Sequence, residues 1–221
     1  SNNVAVGYAA LNAFLGSGAT AVGSGALDAV NGTEVGVTAV GFNALGACDD
    51  GHYNTAVGYA AGSTLSTGDR NTVVGYSALD AAADSDNVAI GSSALGAFTG
   101  SGNYNTAFGY SALGATIDGA QNTAVGINAL AADCVSNNAA VGANALAAYT
   151  GSYATAIGHS AAATATAGDP TAIGQAALTA MTDGIENVAV GQVSFTTVTG
   201  GDHNPGIGSY SGWRTTGNRN T

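Results

Sequence analysis

One short pattern of apolar and small residues recurs along the whole chain, roughly Asn-Thr-Ala-Val-Gly-x-x-Ala-Leu. A fixed period over a full chain is typical of a solenoid, in which each repeat forms one coil that stacks on the next. The sequence therefore predicts one repeat domain over residues 1–221, an all-β parallel solenoid (β-roll) of thirteen coils with about 17 residues per coil. The repeats are centred on Gly7, Gly23, Gly41, Gly58, Gly75, Gly91, Gly109, Gly126, Gly142, Gly158, Gly174, Gly191 and Gly208.

The residues before each glycine predict one short strand per coil. Val, Ile or Phe precedes the glycine directly, Ala comes before it in eleven repeats, and Thr precedes that Ala in eight. Such β-branched positions favour a strand. Side chains alternate between the faces of a strand, and we expect Val/Ile and Thr to point into the coil and Ala to point outward.

An Asn column precedes the strands. Asn side chains can bond backbone groups at a turn, and stacked Asn residues can form a hydrogen-bonded ladder. We therefore predict a structural turn ladder, followed after each strand by a glycine that permits a bend. The ladder residues are Asn3, Asn54, Asn71, Asn87, Asn105, Asn122, Asn138, Asn187 and Asn204.

A second segment follows each glycine, with Ala three residues on in eleven repeats and Leu four residues on in nine. We expect Leu to be the second core residue, and the variable remainder, rich in Gly, Ser, Thr, Asp and Asn, to form loops. A helix is the first alternative, but apolar positions do not recur every three to four residues. Disorder is the second, but it would not need a strict apolar column in every repeat.

The predicted core is thin, with two large side chains per coil, and buries little apolar area. Two columns of Ala would then form an outward apolar stripe along the rod, and such stripes are rarely left in water. We therefore expect the Ala columns to face other copies of the chain in a homo-oligomer.

Composition excludes several partners. The chain has 3 basic and 14 acidic residues, for a net charge of −11. Nucleic-acid binding is not expected, because phosphate neutralisation needs Lys and Arg. No run of 18 apolar residues is present, so no direct membrane insertion is expected. The chain begins and stops within a repeat, and we interpret it as a segment of a longer fibre.

The two cysteines, Cys48 and Cys134, lie five coils apart in predicted loops. At about 4.8 Å per coil they would be roughly 24 Å apart. A disulfide needs Cα atoms within about 7 Å, so an intrachain bridge is not expected. Two unpaired thiols are the prediction, with interchain bridging as the alternative.

The repeat resembles the head repeat of YadA-type trimeric autotransporter adhesins, through the stretches Asn87–Ala94 and Asn187–Gly191. The form at Asn54–Ala61 and Asn71–Leu79 is similar to repeats of bacteriophage tail fibres. This resemblance implies a left-handed β-roll, three chains around one axis, and an extracellular fibre on a virion or a bacterial surface. The period is longer than in the adhesin heads, and the basic neck and anchor barrel of those proteins are not seen.

No catalytic constellation is visible. His52, His159 and His203 lie several coils apart in different columns, and we expect them to be solvated. No metal site or cofactor is predicted. Loop carboxylates can bind Ca²⁺, but the Gly-Gly-x-Gly-x-Asp repeat of calcium rolls is absent, and we favour ordinary solvation. The loop carboxylates include Asp49, Asp50, Asp69, Asp84, Asp86, Asp118, Asp169, Asp183 and Asp202.

Aromatic side chains form two predicted outward rows and are the candidate recognition surface. Stacked Tyr rings can contact sugar rings or a partner surface. The alternative is that they cover neighbouring coils or an adjacent chain. Trp213, where the thirteenth repeat degenerates, is expected to form a local bulge or an interchain plug. The rows are Tyr8, Phe42, Tyr59, Tyr76 and Tyr110, directly after a glycine, and Tyr53, Tyr104 and Tyr153, before the strand.

The favoured hypothesis is a non-enzymatic fibre segment that provides a rigid rod, with attachment to a host-surface glycan or protein receptor as a further expected role. The second hypothesis is an ice-binding or other ligand-binding solenoid, motivated by the Thr column. It is disfavoured because alternation places Thr on the same side as the predicted core Val. The third is a polysaccharide-acting β-helix enzyme, which would need carboxylates clustered on one face.

Overall fold

A computed structural model shows an all-β parallel solenoid and describes residues 2–12, 14–28, 35–80, 85–99, 102–197 and 199–212. Thirteen three-residue strands form one parallel sheet in sequence order, and the described residues contain no helix. The predicted fold class is confirmed. The strands are β1 Val4–Val6, β2 Thr20–Val22, β3 Thr38–Val40, β4 Thr55–Val57, β5 Thr72–Val74, β6 Val88–Ile90, β7 Thr106–Phe108, β8 Thr123–Val125, β9 Ala139–Val141, β10 Thr155–Ile157, β11 Thr171–Ile173, β12 Val188–Val190 and β13 Pro205–Ile207.

The strands pair in strict register, so each strand position forms a continuous column along the solenoid. Thr155 pairs with Thr171 and Ile157 with Ile173, and the same offsets hold in every other pair. Coils of 16, 17 and 18 residues keep this register because the length differences fall in the loops.

Glycine follows each strand for a steric reason. These glycines have φ between 117° and 145°, a region that L side chains rarely adopt. In Gly75 a Cβ would lie 2.5 Å from the carbonyl oxygen of Gly91 in the next coil. The strand therefore ends at a residue without a side chain, where two coils approach at backbone distance.

The segment after the glycine has an unusual backbone that the sequence did not reveal. The Leu residues in this segment have φ between 45° and 55°, in the left-handed region where branched residues are uncommon. Backbone hydrogen bonds to the neighbouring coil hold these residues in this conformation. The Leu95 N–H, for example, donates to the Ala112 carbonyl of the next coil at 3.0 Å.

The predicted direction of the strand side chains is wrong. The middle residue of each strand from β2 to β12 points into the coil and is fully buried, whereas Thr and Val/Ile flank it on the outer face. We call these middle residues the inner Ala column. Its members are Ala21, Ala39, Ala56, Val73, Ala89, Ala107, Ala124, Ala140, Ala156, Ala172 and Ala189.

The prediction that two Ala columns face partner chains is wrong for the same reason. The Ala of the second segment is buried from Ala26 to Ala177, so both columns line the coil interior. The predicted burial of Leu is confirmed from Leu27 to Leu178. A coil this narrow brings the strand close to the opposite segment, and a methyl group is the side chain that fits beside Leu.

A further core column lies in the part of each repeat that was predicted to be loop. Its residues are fully buried although their types differ from coil to coil, because each fills whatever space its loop leaves. The column contains Cys48, Leu65, Phe98, Thr116, Cys134, Tyr149, Ala165 and Met181.

Both cysteines belong to this interior column, and no disulfide joins Cys48 to Cys134, as predicted. Burial raises the pKa of the Cys134 thiol, whose sulfur lies 3.4 Å from the Thr116 hydroxyl. Both thiols are buried inside the coil and are not accessible at its surface. Trp213 and Asp84 lie outside the described residues.

Candidate interaction face

The outer surface of the thirteen-stranded sheet carries an apolar column that is open to solvent. Of its thirteen residues, seven are 37–80% exposed and six are half-buried. We call it the Val/Ile column. It comprises Val6, Val22, Val40, Val57, Val74, Ile90, Phe108, Val125, Val141, Ile157, Ile173, Val190 and Ile207.

The Thr column lies beside the Val/Ile column on the same face. Thr20, Thr38, Thr55, Thr72, Thr106, Thr155 and Thr171 are half-buried, and Thr123 is exposed. The prediction that Thr and Val share one side of the strand is confirmed, but that side is the outer one. The Thr column therefore lies on the surface of the sheet, and the expectation that it faces the core is wrong.

An aromatic column borders the Val/Ile column, one residue after each glycine. Tyr8, Phe42, Tyr59, Tyr76 and Tyr110 are all more than half exposed, which confirms that they point outward. Phe42 and Tyr59 stack with ring centroids 5.1 Å apart, and Tyr59 and Tyr76 with centroids 5.3 Å apart. Phe42 covers one face of the Tyr59 ring and Tyr76 covers the other, so a sugar ring cannot lie flat on Tyr59.

The second aromatic row lies at the opposite border of the sheet. Tyr53, Tyr104 and Tyr153 are exposed and have φ of 58–65°. Charged residues share their column, and there Arg70 donates to both carboxylate oxygens of Asp86, at 2.7 and 2.9 Å. The hydrogen bond from Arg70 lowers the pKa of Asp86. Because two coils separate Tyr53 from Tyr104, this row forms no continuous ladder.

The predicted Asn ladder is confirmed and lies inside the coil. The Asn122 Oδ1 accepts the backbone N–H of Asn138 at 3.0 Å, and the Asn122 Nδ2 donates to the Val135 carbonyl at 2.7 Å. The backbone N–H of Asn71 likewise donates to the Asn54 Oδ1 at 2.8 Å, and bonds of this kind continue through each coil to the N–H of Ala154. These buried amides satisfy backbone groups that water cannot reach. The ladder therefore stabilises the stack and offers no surface group.

The ladder also contains the signal that would have given the correct strand orientation. Asn lies two residues before the inner Ala, so both side chains point to the same face of the strand. An Asn that bonds backbone groups of the turn must point inward, and this forces Ala inward and Val outward. Only the assumption that the larger apolar residue belongs to the core led to the opposite assignment.

The three histidines lie in separate coils of the described part of the chain. His159 is exposed, the His52 Nδ1 accepts the Val35 N–H at 3.2 Å, and His203 Nε2 lies 3.4 Å from Glu186. Among the described residues, no group of three or more His, Cys, Asp or Glu is arranged to hold a metal ion. Several loop carboxylates accept backbone N–H bonds, such as Asp69 from His52 at 2.7 Å.

The outer face is large enough for a protein interface. Thirteen strands at about 4.8 Å span about 60 Å, and the width from the Thr column to the aromatic column is about 13 Å. The face therefore covers on the order of 800 Å², which is the area that one partner contributes to a standard interface. Its centre is apolar and uncharged, and Tyr and charged residues lie at its borders.

No protein-family profile, curated protein or solved structure matches this chain. Where the chain is described, it also has no helix that is long and apolar enough to cross a membrane.

Proposed function

We propose that this chain is a structural segment of an extracellular fibre that assembles side by side with copies of itself, as a homotrimer. The observation that carries the proposal is the exposed Val/Ile column. An apolar stripe of this length is rarely left in water by a monomer, and burial of apolar area stabilises association by roughly 25 cal/mol per Å² before the costs of association are counted.

A regular, repetitive face suits an identical partner, because copies of the chain present the same spacing of about 4.8 Å per coil. Three such faces around one axis would enclose their apolar columns and leave the loops and part of the Tyr rows outside. The number three comes from the resemblance to trimeric adhesins and tail fibres, and the outward Val/Ile column supports assembly in general.

The proposed role is mechanical. Backbone hydrogen bonds continue from strand to strand along the rod, for example from the Gly75 N–H to the Val57 carbonyl at 2.9 Å. The inner Ala column is fully buried from β2 to β12, so bending must break many equivalent contacts at once. Such a rod on a virion or a bacterial surface would hold receptor-binding groups away from its base. Attachment to a host glycan or protein would use the exposed Tyr residues and the loops.

Light scattering coupled to size-exclusion chromatography tests the assembly. We expect three times the chain mass of 21.1 kDa at micromolar concentration. The double variant Ile157→Lys/Ile173→Lys places two charges in the apolar column and should shift the mass toward the monomer. The control, Gln121→Lys/Asn137→Lys, adds the same charge at exposed residues on the border of the face and should leave the mass unchanged. A well-folded monomer at tens of micromolar would refute the proposal, and a dimer would refute the number three.

Ice binding is the second candidate, because the Thr column faces outward on a regular sheet. Thermal hysteresis of the purified chain decides between the two. A clear hysteresis that Thr155→Tyr abolishes, without change in oligomeric mass, would favour the ice-binding function over the fibre.

A further inference from the structure

Serine interrupts the aromatic column at two places. Ser24 lies between Tyr8 and Phe42, and Ser92 lies between Tyr76 and Tyr110. The backbone stays in register across the second interruption, because the Ser93 N–H donates to the Tyr76 carbonyl and the Ser111 N–H donates to the Ser92 carbonyl, both at 3.0 Å. Each serine therefore marks a coil in which the aromatic column has no ring.

The uninterrupted part of the column sets the size of these gaps. Phe42, Tyr59 and Tyr76 stack at intervals of 5.1 and 5.3 Å with interplanar angles of 15° and 11°. One coil, that of Ser92, lies between the coils of Tyr76 and Tyr110, so the two rings are two steps of the column apart, or about 10 Å. This equals two intervals within the 4.5–7 Å centroid separation that aromatic pairs prefer. One flat ring placed between them would stack on both neighbours as Tyr59 stacks on Phe42 and Tyr76.

We propose that the gaps at Ser24 and Ser92 are binding sites for a planar aromatic ring, neutral or cationic. The walls are Tyr8 and Phe42 in one gap and Tyr76 and Tyr110 in the other, and a serine occupies the column position between each pair. The column itself determines the ring chemistry, because its other steps in this region are filled by aromatic rings at the same spacing. The net charge of −11 disfavours an anionic ligand.

The surroundings of the Ser92 gap fit an uncharged ring. Ile90 on one side and Ser93 on the other carry no charge, and the Arg70–Asp86 pair lies at the opposite border of the sheet. Tyr76 and Tyr110 remain 59% and 57% exposed, so the apolar area of each ring is open to a ligand. This inference rests on the aromatic column and requires that its two gaps stay open to solvent in the assembled protein.

Two variants at matched positions test whether the gap accepts a ring. Ser92→Tyr supplies the missing ring from the chain itself. Gln175→Tyr places the same side chain in the same column between His159 and Gln192, where no Phe or Tyr flanks it, and it removes the bond that the Gln192 Nε2 donates to the Gln175 Oε1 at 2.8 Å. We expect Ser92→Tyr to raise Tm by several degrees above that of the unaltered chain, and Gln175→Tyr not to raise it. A Tm of Ser92→Tyr equal to that of the unaltered chain would overturn the proposed geometry.

Saturation-transfer NMR of the full chain then tests binding, with millimolar p-cresol as the ring and methyl β-glucoside as a non-aromatic ring of similar size. We expect a p-cresol signal that falls by about half in Ser92→Tyr, nearly vanishes in Ser24→Tyr/Ser92→Tyr, and persists in Gln175→Tyr. N-acetyltyrosinamide distinguishes a ring carried on a peptide from a free small molecule. Absent p-cresol binding, equal signals in all variants, or equally strong glucoside binding would each overturn the proposal.

Discussion

Substitution of Gly75 by Ala tests the central packing argument of this fold. Gly75 has φ of 138°, and an added Cβ would lie 2.5 Å from the Gly91 carbonyl oxygen and 2.6 Å from its carbon. Neither neighbour is a flexible side chain that could turn away. The two coils would have to separate, at the point where the Gly91 N–H donates to the Val74 carbonyl at 2.7 Å.

The expected cost has two parts. Holding Ala in this backbone region costs about 1–3 kcal/mol, and forcing a methyl group into closely packed backbone costs typically about 1–3 kcal/mol more. We therefore expect Gly75→Ala to lower the free energy of unfolding by about 2–6 kcal/mol. The control is Gly208→Ala, at the same position of the last repeat. Its φ is 117° and no described heavy atom lies within 4 Å of the added Cβ, so it carries only the backbone cost.

Urea denaturation followed by circular dichroism, at one fixed chain concentration, measures this difference. A solenoid can unfold in parts, so amide hydrogen exchange should accompany it. Faster exchange is expected at Gly91 and its neighbours in Gly75→Ala, and not in Gly208→Ala. If both variants lost the same stability, the steric contact between coils would not be the reason for glycine at this position.

Two further variants test the interior. Asn122→Ala removes the acceptor for the buried Asn138 N–H and should lower the free energy of unfolding by about 1–3 kcal/mol. Thr123→Ala, on the outer face, should lower it by less than half as much. Equal denaturation midpoints for the two variants would contradict the stabilising role of the Asn ladder. Burial, with a smaller contribution from Asp169, raises the pKa of Tyr149 from 10.0 to about 12. The folded state then keeps a proton that the unfolded state loses, so stability is complete below pH 10 and falls between pH 10 and 12. In Tyr149→Phe, the denaturation midpoint measured from pH 8 to 12 should lack the loss of stability that Tyr149 causes. A pH profile equal to that of the unaltered chain would refute this role of Tyr149.

Tyr149 also illustrates what the sequence could not supply. Its ring is buried and its hydroxyl donates to the Ser152 carbonyl at 2.7 Å and contacts the Gly168 carbonyl. In the sequence it lies in a variable stretch of polar and small residues that resembles a surface loop. Its column has no constant residue type, because each loop leaves a different space, and so no periodic signal marks it.

The outward orientation of the Val/Ile column could have been predicted from the sequence. The Asn ladder was predicted correctly, and side-chain alternation from Asn would have placed Ala inside and Val outside. The error came from ranking residues by hydrophobicity, which works where a core has room for large side chains. In this narrow coil the available volume decides, and Ala with Leu fills it.

The repeat in the sequence by itself determined the β-solenoid, the length of each coil, the Asn ladder and the need for glycine after every strand. These depend on backbone conformation and local hydrogen bonding, which the same few residues impose in every repeat. The tertiary structure decided which face of each strand is buried, which loop residues complete the core and where the aromatic ladder is interrupted. Those features depend on the distance between opposite segments of a coil and on the alignment of successive coils, and neither is encoded within a single repeat.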